Sequence, residues 1–426
     1  MADGSSPHTR EGRTGRTQPV VDEPVTDRDL RDQLRAVLAH PMATTHLVVA
    51  SSVLLVGLGV MMVLSSSSVF AGENYGDPYY FLKRQGFFLV IGVVAAIVLS
   101  RLTPSTLRTL SWVAMILACV LLILTYTPLG VEVNGNRNWL KLGTDLFRIQ
   151  PSEFAKLALI MWGADIFHRK QRLLEQPKHL LVPFLPGALV LIGLVVFQGD
   201  LGTAVIMIAI VAAVLWAIGT PMRLLVSMTV LTIAALVPMT VLSADRMRRF
   251  SYFFNPDEGL DGSNLQQIQS LYGIASGSWW GVGLGGSRQK WGALPEAHND
   301  FIFAVIAEEL GLIGSLSVLA LFAVLTFAGL RIALRSDIPF CRYTAAGITA
   351  WFSLQALINM AVVLRMLPVL GVPLPMVSYG GSALLANLCA LGVLVACARH
   401  EPEARQLRAQ RRRGSAPRVT TLVGSR

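Results

Sequence analysis

The chain has 426 residues, of which 53% are hydrophobic and only 15% are charged. Soluble globular domains average about 25% charged residues, so the composition excludes a soluble enzyme and predicts an all-α polytopic membrane protein. The formal net charge of +10 lies mostly in two polar tails and short loops. It therefore reports membrane orientation rather than the charge of a substrate.

The two ends of the chain are polar. Residues 1–44 lack the apolar stretch of a signal peptide, and they are expected to form a disordered cytoplasmic tail. Residues 399–426 form a basic tail that is expected to lie on anionic cytoplasmic lipid. Binding of nucleic acid by this tail is the disfavoured alternative. Its basic residues are Arg405, Arg408, Arg411, Arg412, Arg413 and Arg418.

Between the tails, apolar runs of membrane length predict one membrane domain over residues 45–398. It is expected to contain ten transmembrane helices. The predicted spans are residues 45–65, 82–100, 107–126, 152–167, 180–197, 201–218, 223–243, 300–330, 343–364 and 380–398.

Basic loops orient these spans. Residues 168–179, residues 331–342 and the turn between Arg101 and Arg108 all fall on one side of a ten-span arrangement, together with both tails. The positive-inside rule assigns that side to the cytoplasm. The outer side then carries the larger loops, including a long one between the seventh and eighth spans. The outer loops are residues 66–81, 127–151, 198–200, 244–299 and 365–379.

Loop 127–151 is the first outer loop whose residues could bind a substrate. Arg137 and Lys141 lie beside Trp139, and the loop is expected to dip into the membrane with this indole at the headgroup level. Pro151 then marks the start of a helix. The free backbone N–H groups of a helix start suit a phosphate group.

The helix start itself is polar. Ser152 and Glu153 follow Pro151, and Glu153 and Lys156 share one face of the helix, where their spacing predicts an ion pair. A merely structural interpretation remains open, in which the helix is capped, Trp139 is an interfacial anchor and the ion pair is structural.

The short turn from Gln198 to Asp200 is most simply a hairpin turn in which Asp200 caps the next helix. Glycines at 277–286 lack the strand and helix of a dinucleotide-binding loop, so they are a weak signal. Residues 264–275 have the apolar spacing of a short amphipathic helix on the membrane.

The segment 294–314 carries the strongest signal, because it takes carboxylates from a polar loop into an apolar helix. Asp300 lies at the outer end of the eighth span, and Glu308 lies about 12 Å deeper along the helix. Charged groups within a membrane helix are costly and usually functional. Three alternatives stay open: Asp300 as a partner of the helix dipole, Glu308 and Glu309 as partners of Lys156 or Arg365, and a relay in a transporter.

Before the tenth span, residues 373–381 (Pro-Leu-Pro-Met-Val-Ser-Tyr-Gly-Gly) break the helical pattern. Broken backbone at membrane depth is tolerated only where it is buried in protein or lines a cavity. The polar groups together predict an outward-facing cavity with a carboxylate at its rim, cationic side chains and apolar walls. Such a cavity suits an amphiphile with an anionic head and a lipid tail.

Five motifs in order resemble the SEDS family (shape, elongation, division and sporulation) over residues 45–398. They are Arg137-Asn-Trp-Leu, Gln150-Pro-Ser-Glu-Phe-Ala-Lys156, Gln198-Gly-Asp-Leu-Gly202, Pro295-Glu-Ala-His-Asn-Asp-Phe-Ile-Phe with Glu308-Glu-Leu-Gly, and Ser378-Tyr-Gly-Gly381. Glu-Ala after Pro295 resembles the division (FtsW-like) branch, where the elongation branch tends to carry Glu-Arg. The N-terminal tail and the Arg and Ala content resemble actinobacterial members.

The resemblance implies a ten-helix fold and an inverting peptidoglycan glycosyltransferase that polymerises lipid II into β-1,4 glycan at the outer face of the cytoplasmic membrane. It implies Asp300 as the catalytic residue, acting as a general base or as a ligand of Mg²⁺ or Mn²⁺; no other cofactor is expected. Candidate substrate-binding residues are Arg137, Trp139, Lys141, Arg148, Gln150, Ser152, Glu153, Lys156, Gln198, Asp200, Arg288, Lys290, His298, Glu308, Ser378 and Tyr379.

The resemblance also implies partners, namely a class B penicillin-binding protein and other division proteins at the septum. Two other functions remain open. A lipid II flippase would move the headgroup past Glu308, Lys156 and Arg365, whereas a non-catalytic scaffold would only recruit the transpeptidase.

Overall fold

The computed structural model describes residues 40–133, 135–141, 143, 148–173, 182–241, 244–254 and 263–414. The expectations for the N-terminal tail and for the end of the C-terminal tail lie outside these residues. The elements described below belong to one compact unit that begins at Pro41.

The described chain is built mainly from α-helices. The first seven are α1 (Ala43–Tyr75), α2 (Tyr80–Arg101), α3 (Pro104–Leu124), α4 (Pro151–Arg169), α5 (Phe184–Phe197), α6 (Leu201–Ala217) and α7 (Met222–Val241). They are followed by α8 (Ala244–Phe254), α9 (Ser263–Gly277), α10 (Ile302–Arg335), α11 (Pro339–Val363), α12 (Gly381–Ala398) and α13 (Pro402–Gly414).

Six of these helices, α1, α2, α3, α10, α11 and α12, are long and apolar enough to cross a membrane. Three shorter apolar helices are α5, α6 and the first half of α7. Helix α4 differs from them because it contains three buried charged residues, Glu153, Lys156 and Asp165. A helix therefore lies at each predicted span. Large apolar side chains such as Val90, Val94 and Val98 are exposed along α2, as expected for a helix that faces lipid.

A small antiparallel sheet connects α3 to α4, which the all-α prediction did not anticipate. Its strands β1 (Gly130–Val133), β2 (Asn136–Lys141) and β3 (Arg148–Ile149) pair in the order β1-β2-β3. Trp139 is half-buried on β2, opposite Val131 of β1. The pairing satisfies the backbone groups of much of this segment within the protein. The connection is therefore a sheet rather than an irregular loop.

Helix α4 lies at the centre of the bundle. Its side chains from Pro151 to Phe167 are almost all buried, and α4 packs against α3, α6 and α11. Around it, α12 packs along α2, and α10 packs against α1 and α11. Because α4 is enclosed by protein, it carries the ionisable groups that a lipid-facing helix excludes.

The predicted eighth span, residues 300–330, differs from the observed helix in two ways. Helix α10 begins at Ile302 and is broken at Gly311, where φ is 68° and ψ is −164°. An unbroken helix of 34 residues would measure about 51 Å, well beyond the hydrocarbon thickness of about 30 Å. The break leaves a short buried helix over 302–310 and a second part over 312–335, whose length suits a bilayer.

Candidate functional site

Asp300 lies in the turn immediately before α10 and is half-buried. Its backbone carbonyl accepts a hydrogen bond of 2.7 Å from Asn359 Nδ2 of α11, and the same amide donates to the carbonyl of Val372 at 2.8 Å. A Cβ on Gly371 would lie 3.6 Å from Asp300 Oδ2. The carboxylate is thus beside the loop that joins α11 to α12.

That loop, residues 364–380, is hydrogen-bonded to the turn that contains Asp300. Ser378 Oγ donates to the carbonyl of Asn299 at 2.7 Å and accepts from the backbone N–H of Leu374 at 2.8 Å. The N–H of Tyr379 donates to the carbonyl of His298 at 2.9 Å. The predicted break in helicity is therefore an ordered segment that positions the residues around Asp300.

Backbone strain collects around Asp300. The described residues other than glycine with positive φ are Ser278, Glu296, Arg365 and Met376, and the last three, at 57°, 56° and 65°, lie in the two segments that meet there. Each such conformation costs roughly 1–3 kcal/mol and persists only where the surroundings enforce it. Strain of this kind clusters at active sites and ligand clamps, which makes this region the candidate functional site.

An aromatic cluster surrounds the ring of His298 in the same turn. The ring of His298 lies 5.7 Å from Phe70, 4.7 Å from Phe81 and 5.6 Å from Tyr379, measured between centroids. Burial lowers the pKa of His298, although Glu296 opposes this shift, and burial raises the pKa of Tyr379 to about 12. Both side chains are therefore neutral at pH 7 and offer hydrogen bonds rather than charge.

Beneath this turn lies a buried charge network. Lys156 Nζ donates to Glu153 Oε1 at 2.8 Å, as the spacing predicts, and to Gln355 Oε1 at 2.9 Å. Gln355 Nε2 in turn donates to the carbonyl of Pro373 at 2.8 Å. Both charged side chains are 1% exposed. In this arrangement Lys156 supports the loop beside Asp300 from below instead of facing a solvent-filled site.

The sheet is joined to the turn between α5 and α6 through Asp200. As predicted, Asp200 caps α6, because Oδ1 accepts from the N–H of Thr203 at 3.0 Å. Its Oδ2 also accepts from Asn138 Nδ2 and Gln150 Nε2, both at 3.0 Å. Gln198 Nε2 donates to Thr125 Oγ1 at 2.8 Å. These contacts fix β2 and the start of α4 over the helix ends.

Cationic side chains follow the same sheet. Lys141 of β2 is the register partner of Arg148 of β3, and both are half-buried. Arg137 is exposed and donates to the carbonyl of Thr127 at 2.8 Å. This pairing places two cationic side chains next to each other at the edge where β3 leads into α4. Ser152 is buried at the start of α4, and its Oγ has no hydrogen-bond partner among the described residues.

Glu308 and Glu309 have partners other than those considered from the sequence. Both are 1% exposed, and neither contacts Lys156 or Arg365. Glu308 accepts from Ser287 Oγ and, at 3.0 Å, from the N–H of Arg288. These contacts make Glu308 an anchor for the outer loop.

Glu309 joins the same loop to α1. It accepts from Ser65 Oγ at 2.7 and 2.8 Å, and Lys290 Nζ lies 3.7 Å from its Oε1. Lys290 is buried in this ion pair, whereas the side chain of Arg288 is exposed. Of these two predicted substrate-binding cations, only Arg288 is presented outward.

Two site residues escaped the sequence analysis, although they carried a signal. Gln355 and Asn359 are buried amides four residues apart in the predominantly apolar α11. That spacing places them on one helix face, where they bind the loop backbone beside Asp300.

The site offers a divalent cation few protein ligands. Among the described residues, no group of three or more His, Cys, Asp or Glu side chains could hold a metal ion. Such a cation would depend on Asp300 together with backbone or substrate oxygens.

These features define the class of protein: a multi-pass helical membrane protein with an ordered polar site where several helices end. The chain belongs to the FtsW/RodA/SpoVE family of cell cycle proteins, whose sequence profile matches residues 45–403. This match confirms the family resemblance drawn from the motifs.

Individual relatives agree with this assignment. The chain is 36% identical over 375 residues to the probable peptidoglycan glycosyltransferase FtsW of Mycobacterium tuberculosis, covering 88% of this chain and 71% of that protein. It is 40% identical over 392 residues to the protein of the same name from Thioalkalivibrio sulfidiphilus, covering 90% and 96%. Stage V sporulation protein E of Bacillus subtilis is 38% identical over 355 residues, covering 83% and 96%.

Solved structures share the fold. A chain from a structure described as "Structural coordination of polymerization and crosslinking by a peptidoglycan synthase complex" is 30% identical and superposes with a TM-score of 0.67, covering 83% of this chain and 96% of that one. The rod shape determining protein RodA of Thermus thermophilus is 28% identical with a TM-score of 0.60, covering 86% and 98%.

Proposed function

We propose that this protein is a peptidoglycan glycosyltransferase that polymerises lipid II during septal wall synthesis. The observation that carries the proposal is the fixed placement of Asp300, held between the start of α10, Asn359 of α11 and the loop 364–380. The names of its relatives support the same activity, since several are probable peptidoglycan glycosyltransferases.

In the proposed reaction, the 4-hydroxyl of the N-acetylglucosamine of one lipid II attacks the anomeric carbon of a lipid-pyrophosphate-linked glycan. A C–O bond forms with inversion, the bond to pyrophosphate breaks, and the hydroxyl proton passes to the carboxylate of Asp300. A sugar hydroxyl is a weak nucleophile, and general-base action contributes roughly 10²–10⁴-fold to such a step.

The leaving pyrophosphate needs cationic groups. Lys141 and Arg148 are paired across two strands, and Arg137 and Arg288 are exposed on outer segments, so these four are the proposed anion-binding residues. Lys156 and Lys290 are buried in ion pairs with Glu153 and Glu309. Their proposed role is to hold the surrounding segments in place. If Mg²⁺ or Mn²⁺ takes part, Asp300 is its proposed protein ligand and the metal neutralises pyrophosphate charge.

The proposal includes the membrane topology. Ten helices cross the bilayer, both termini are cytoplasmic, and the long segment between α7 and α10 is the outer loop. Arg169, Arg335 and Arg399 lie at helix ends on the side assigned to the cytoplasm, in accord with the positive-inside rule. The site of Asp300 then faces the outer leaflet, where the lipid substrate has its headgroup.

A class B penicillin-binding protein is the proposed partner, because one similar structure is described as a synthase complex that coordinates polymerisation with crosslinking. The proposed location is the division septum of the bacterial cytoplasmic membrane. Septal fluorescence of a functional fusion would support the division role, and labelling of the side wall alone would contradict it.

The enzymatic proposal is tested by incubating the purified protein and its partner with fluorescent lipid II. Glycan polymer resolved on a gel is the expected product. Absence of polymer with folded protein and partner present would contradict the proposed polymerase activity. The flippase would then be the favoured function.

The flippase alternative rests on the carboxylates of Glu308 and Glu309 at depth in α10. Their contacts with Ser287, Arg288 and Ser65 favour a structural role over a transport path. A vesicle assay of lipid II translocation with Glu308→Gln separates the two functions. Loss of translocation with normal polymer yield would favour the transporter.

A further inference from the structure

The outer segment between α9 and α10 exposes an unusual number of large apolar side chains. We name residues 278–291 the tryptophan loop. Trp279, Trp280 and Trp291 in this loop are 64%, 82% and 70% exposed, and Val282 and Leu284 are also exposed. Exposed apolar clusters of this kind mark a surface that meets a protein or a membrane.

The tryptophan loop is rigidly attached to the break in α10. The N–H of Leu312 donates to the carbonyl of Ser278 at 2.9 Å, and the N–H of Gly283 donates to the carbonyl of Glu309 at 3.1 Å. Glycine is required at Gly281, where φ is 78° and a Cβ would lie 2.1 Å from the carbonyl oxygen of Glu309. The backbone of α10 and that of the loop therefore form one unit.

The side chains of Glu308 and Glu309 complete this attachment. Glu308 accepts from the N–H of Arg288, and Glu309 accepts from the N–H of Ser287 at 3.3 Å. Buried carboxylates that accept backbone hydrogen bonds make strong, charge-assisted contacts. The apolar side chains of the loop are thus held outward by the fold, which separates them from exposed residues of a loosely attached loop.

The attachment point lies at the level where α10 meets lipid. Before the break, residues 302–309 are buried; after it, Leu312, Ile313, Leu316 and Leu319 are exposed. The N–H of Ile313 approaches the carbonyl of Trp279 at 3.4 Å. The exposed residues at the start of the loop therefore adjoin the apolar surface of a helix that is long and apolar enough to span the membrane.

From this continuity we infer that the tryptophan loop is immersed in the interfacial region of the outer leaflet. Tryptophan is the side chain most suited to this depth, because its ring is apolar and its N–H bonds to headgroups and water. Arg288 is exposed on the same loop, which suits the proposed role of its guanidinium in binding the pyrophosphate of a membrane-bound substrate. The loop would then sit in the membrane beside α10 and fix the depth of its outer end.

The experiment uses the full-length protein in lipid nanodiscs and compares it with a Trp279→Phe, Trp280→Phe and Trp291→Phe triple variant. The difference between the two emission spectra isolates the loop tryptophans from the other five of the chain's 8. We expect this difference signal to be quenched by lipids brominated near the carbonyl end of the acyl chain and to resist acrylamide in water. A matched Trp216→Phe variant reports a lipid-facing indole on α6 for comparison, since Trp216 is 63% exposed.

The opposite pattern would overturn the inference. Strong quenching by acrylamide without quenching by brominated lipid would place the loop in water, where a protein partner is the remaining occupant. If the triple variant does not fold, the single Trp280→Phe change provides the same comparison, because this ring is 82% exposed and its removal disturbs little packing. Neither readout depends on the proposed enzymatic activity.

Discussion

At the scale of single residues, the carboxylates of this protein differ in burial and bonding, and these differences predict different roles. Asp300 is half-buried in a turn at the end of the bundle, whereas Glu153, Glu308 and Glu309 are fully enclosed and bound to fixed donors. A group that takes a proton from a substrate must be reachable by that substrate. Among these carboxylates, Asp300 meets that condition.

The buried pair of Lys156 and Glu153 predicts a large effect on stability. Lys156→Met leaves the charge of Glu153 without its partner in a dry interior and is expected to cost about 3–5 kcal/mol. Thermal unfolding in detergent measures the loss. Adding Glu153→Leu should recover part of it, because no lone charge then remains; an equal or greater loss in the double variant would contradict this account.

Glu401 predicts a pH dependence of stability at the junction of α12 and α13. It is 2% exposed between α12 and α13, and burial raises its pKa to about 7, although Arg335 and Arg331 oppose the shift and Glu403 adds to it. Because the folded state holds the proton more tightly than the unfolded state, the stabilisation is complete at acidic pH. It is lost as the pH rises toward and through 7.

We therefore expect Glu401→Gln, which removes this ionisation, to raise the melting temperature relative to wild type increasingly between pH 5 and pH 8. Unfolding of both proteins across that range provides the measurement. A constant difference between them would show that Glu401 does not titrate there.

At the scale of elements, the break in α10 connects the membrane helix to the outer loop. Gly311 occupies a conformation that favours glycine, and a Cβ there would lie 2.4 Å from the backbone nitrogen of Gly281. Gly311→Ala is therefore expected to lower the melting temperature clearly and to detach the tryptophan loop. Gly193→Ala is the matched control, because no atom lies within 4 Å of its added Cβ; equal effects of both changes would contradict a special role for the break.

The carboxylate anchor predicts a local change in dynamics. Glu308→Gln removes the charge that accepts from Ser287 and Arg288, so amide hydrogen exchange of residues 287–289 should become faster while that of α12 stays unchanged. Asp337→Asn serves as the control, since Asp337 is paired with Arg405 near the basic tail. Unaltered exchange at 287–289 in the Glu308 variant would show that the anchor is not needed.

At the scale of the whole molecule, the sequence located a helix at each of the ten predicted spans, because apolar runs of membrane length are a local property. It also predicted the ion pair of Glu153 and Lys156 and the cap at Asp200, both of which depend on residues three apart. It did not predict α8 or α13, which lie in segments expected to be loop and tail. It also missed the sheet over 130–149, whose strands are short, and the partners of Glu308 and Glu309. Those contacts join segments such as Ser65 and Glu309 that are 244 residues apart, and no local pattern reveals them.

The outer surface also predicts dependence on a partner. The proposed partner would dock on the outward segments near Asp300, and a docked protein that binds the active arrangement more tightly shifts the population toward it. Lipid II polymerisation should therefore be faster with the class B penicillin-binding protein than without it. Equal rates in the two conditions would contradict regulation by this partner.

The most direct test of the central claim compares wild type, Asp300→Asn and Asp337→Asn in lipid II polymerisation with the partner present, each with and without EDTA. Polymer from wild type and Asp337→Asn, with a loss of at least about 10²-fold in Asp300→Asn, is the predicted result. Loss of wild-type polymer in EDTA would favour a metal-ligand role for Asp300, and polymer unchanged by EDTA would favour a general base. Equal polymer from wild type and Asp300→Asn would contradict the assignment of Asp300 as the catalytic residue.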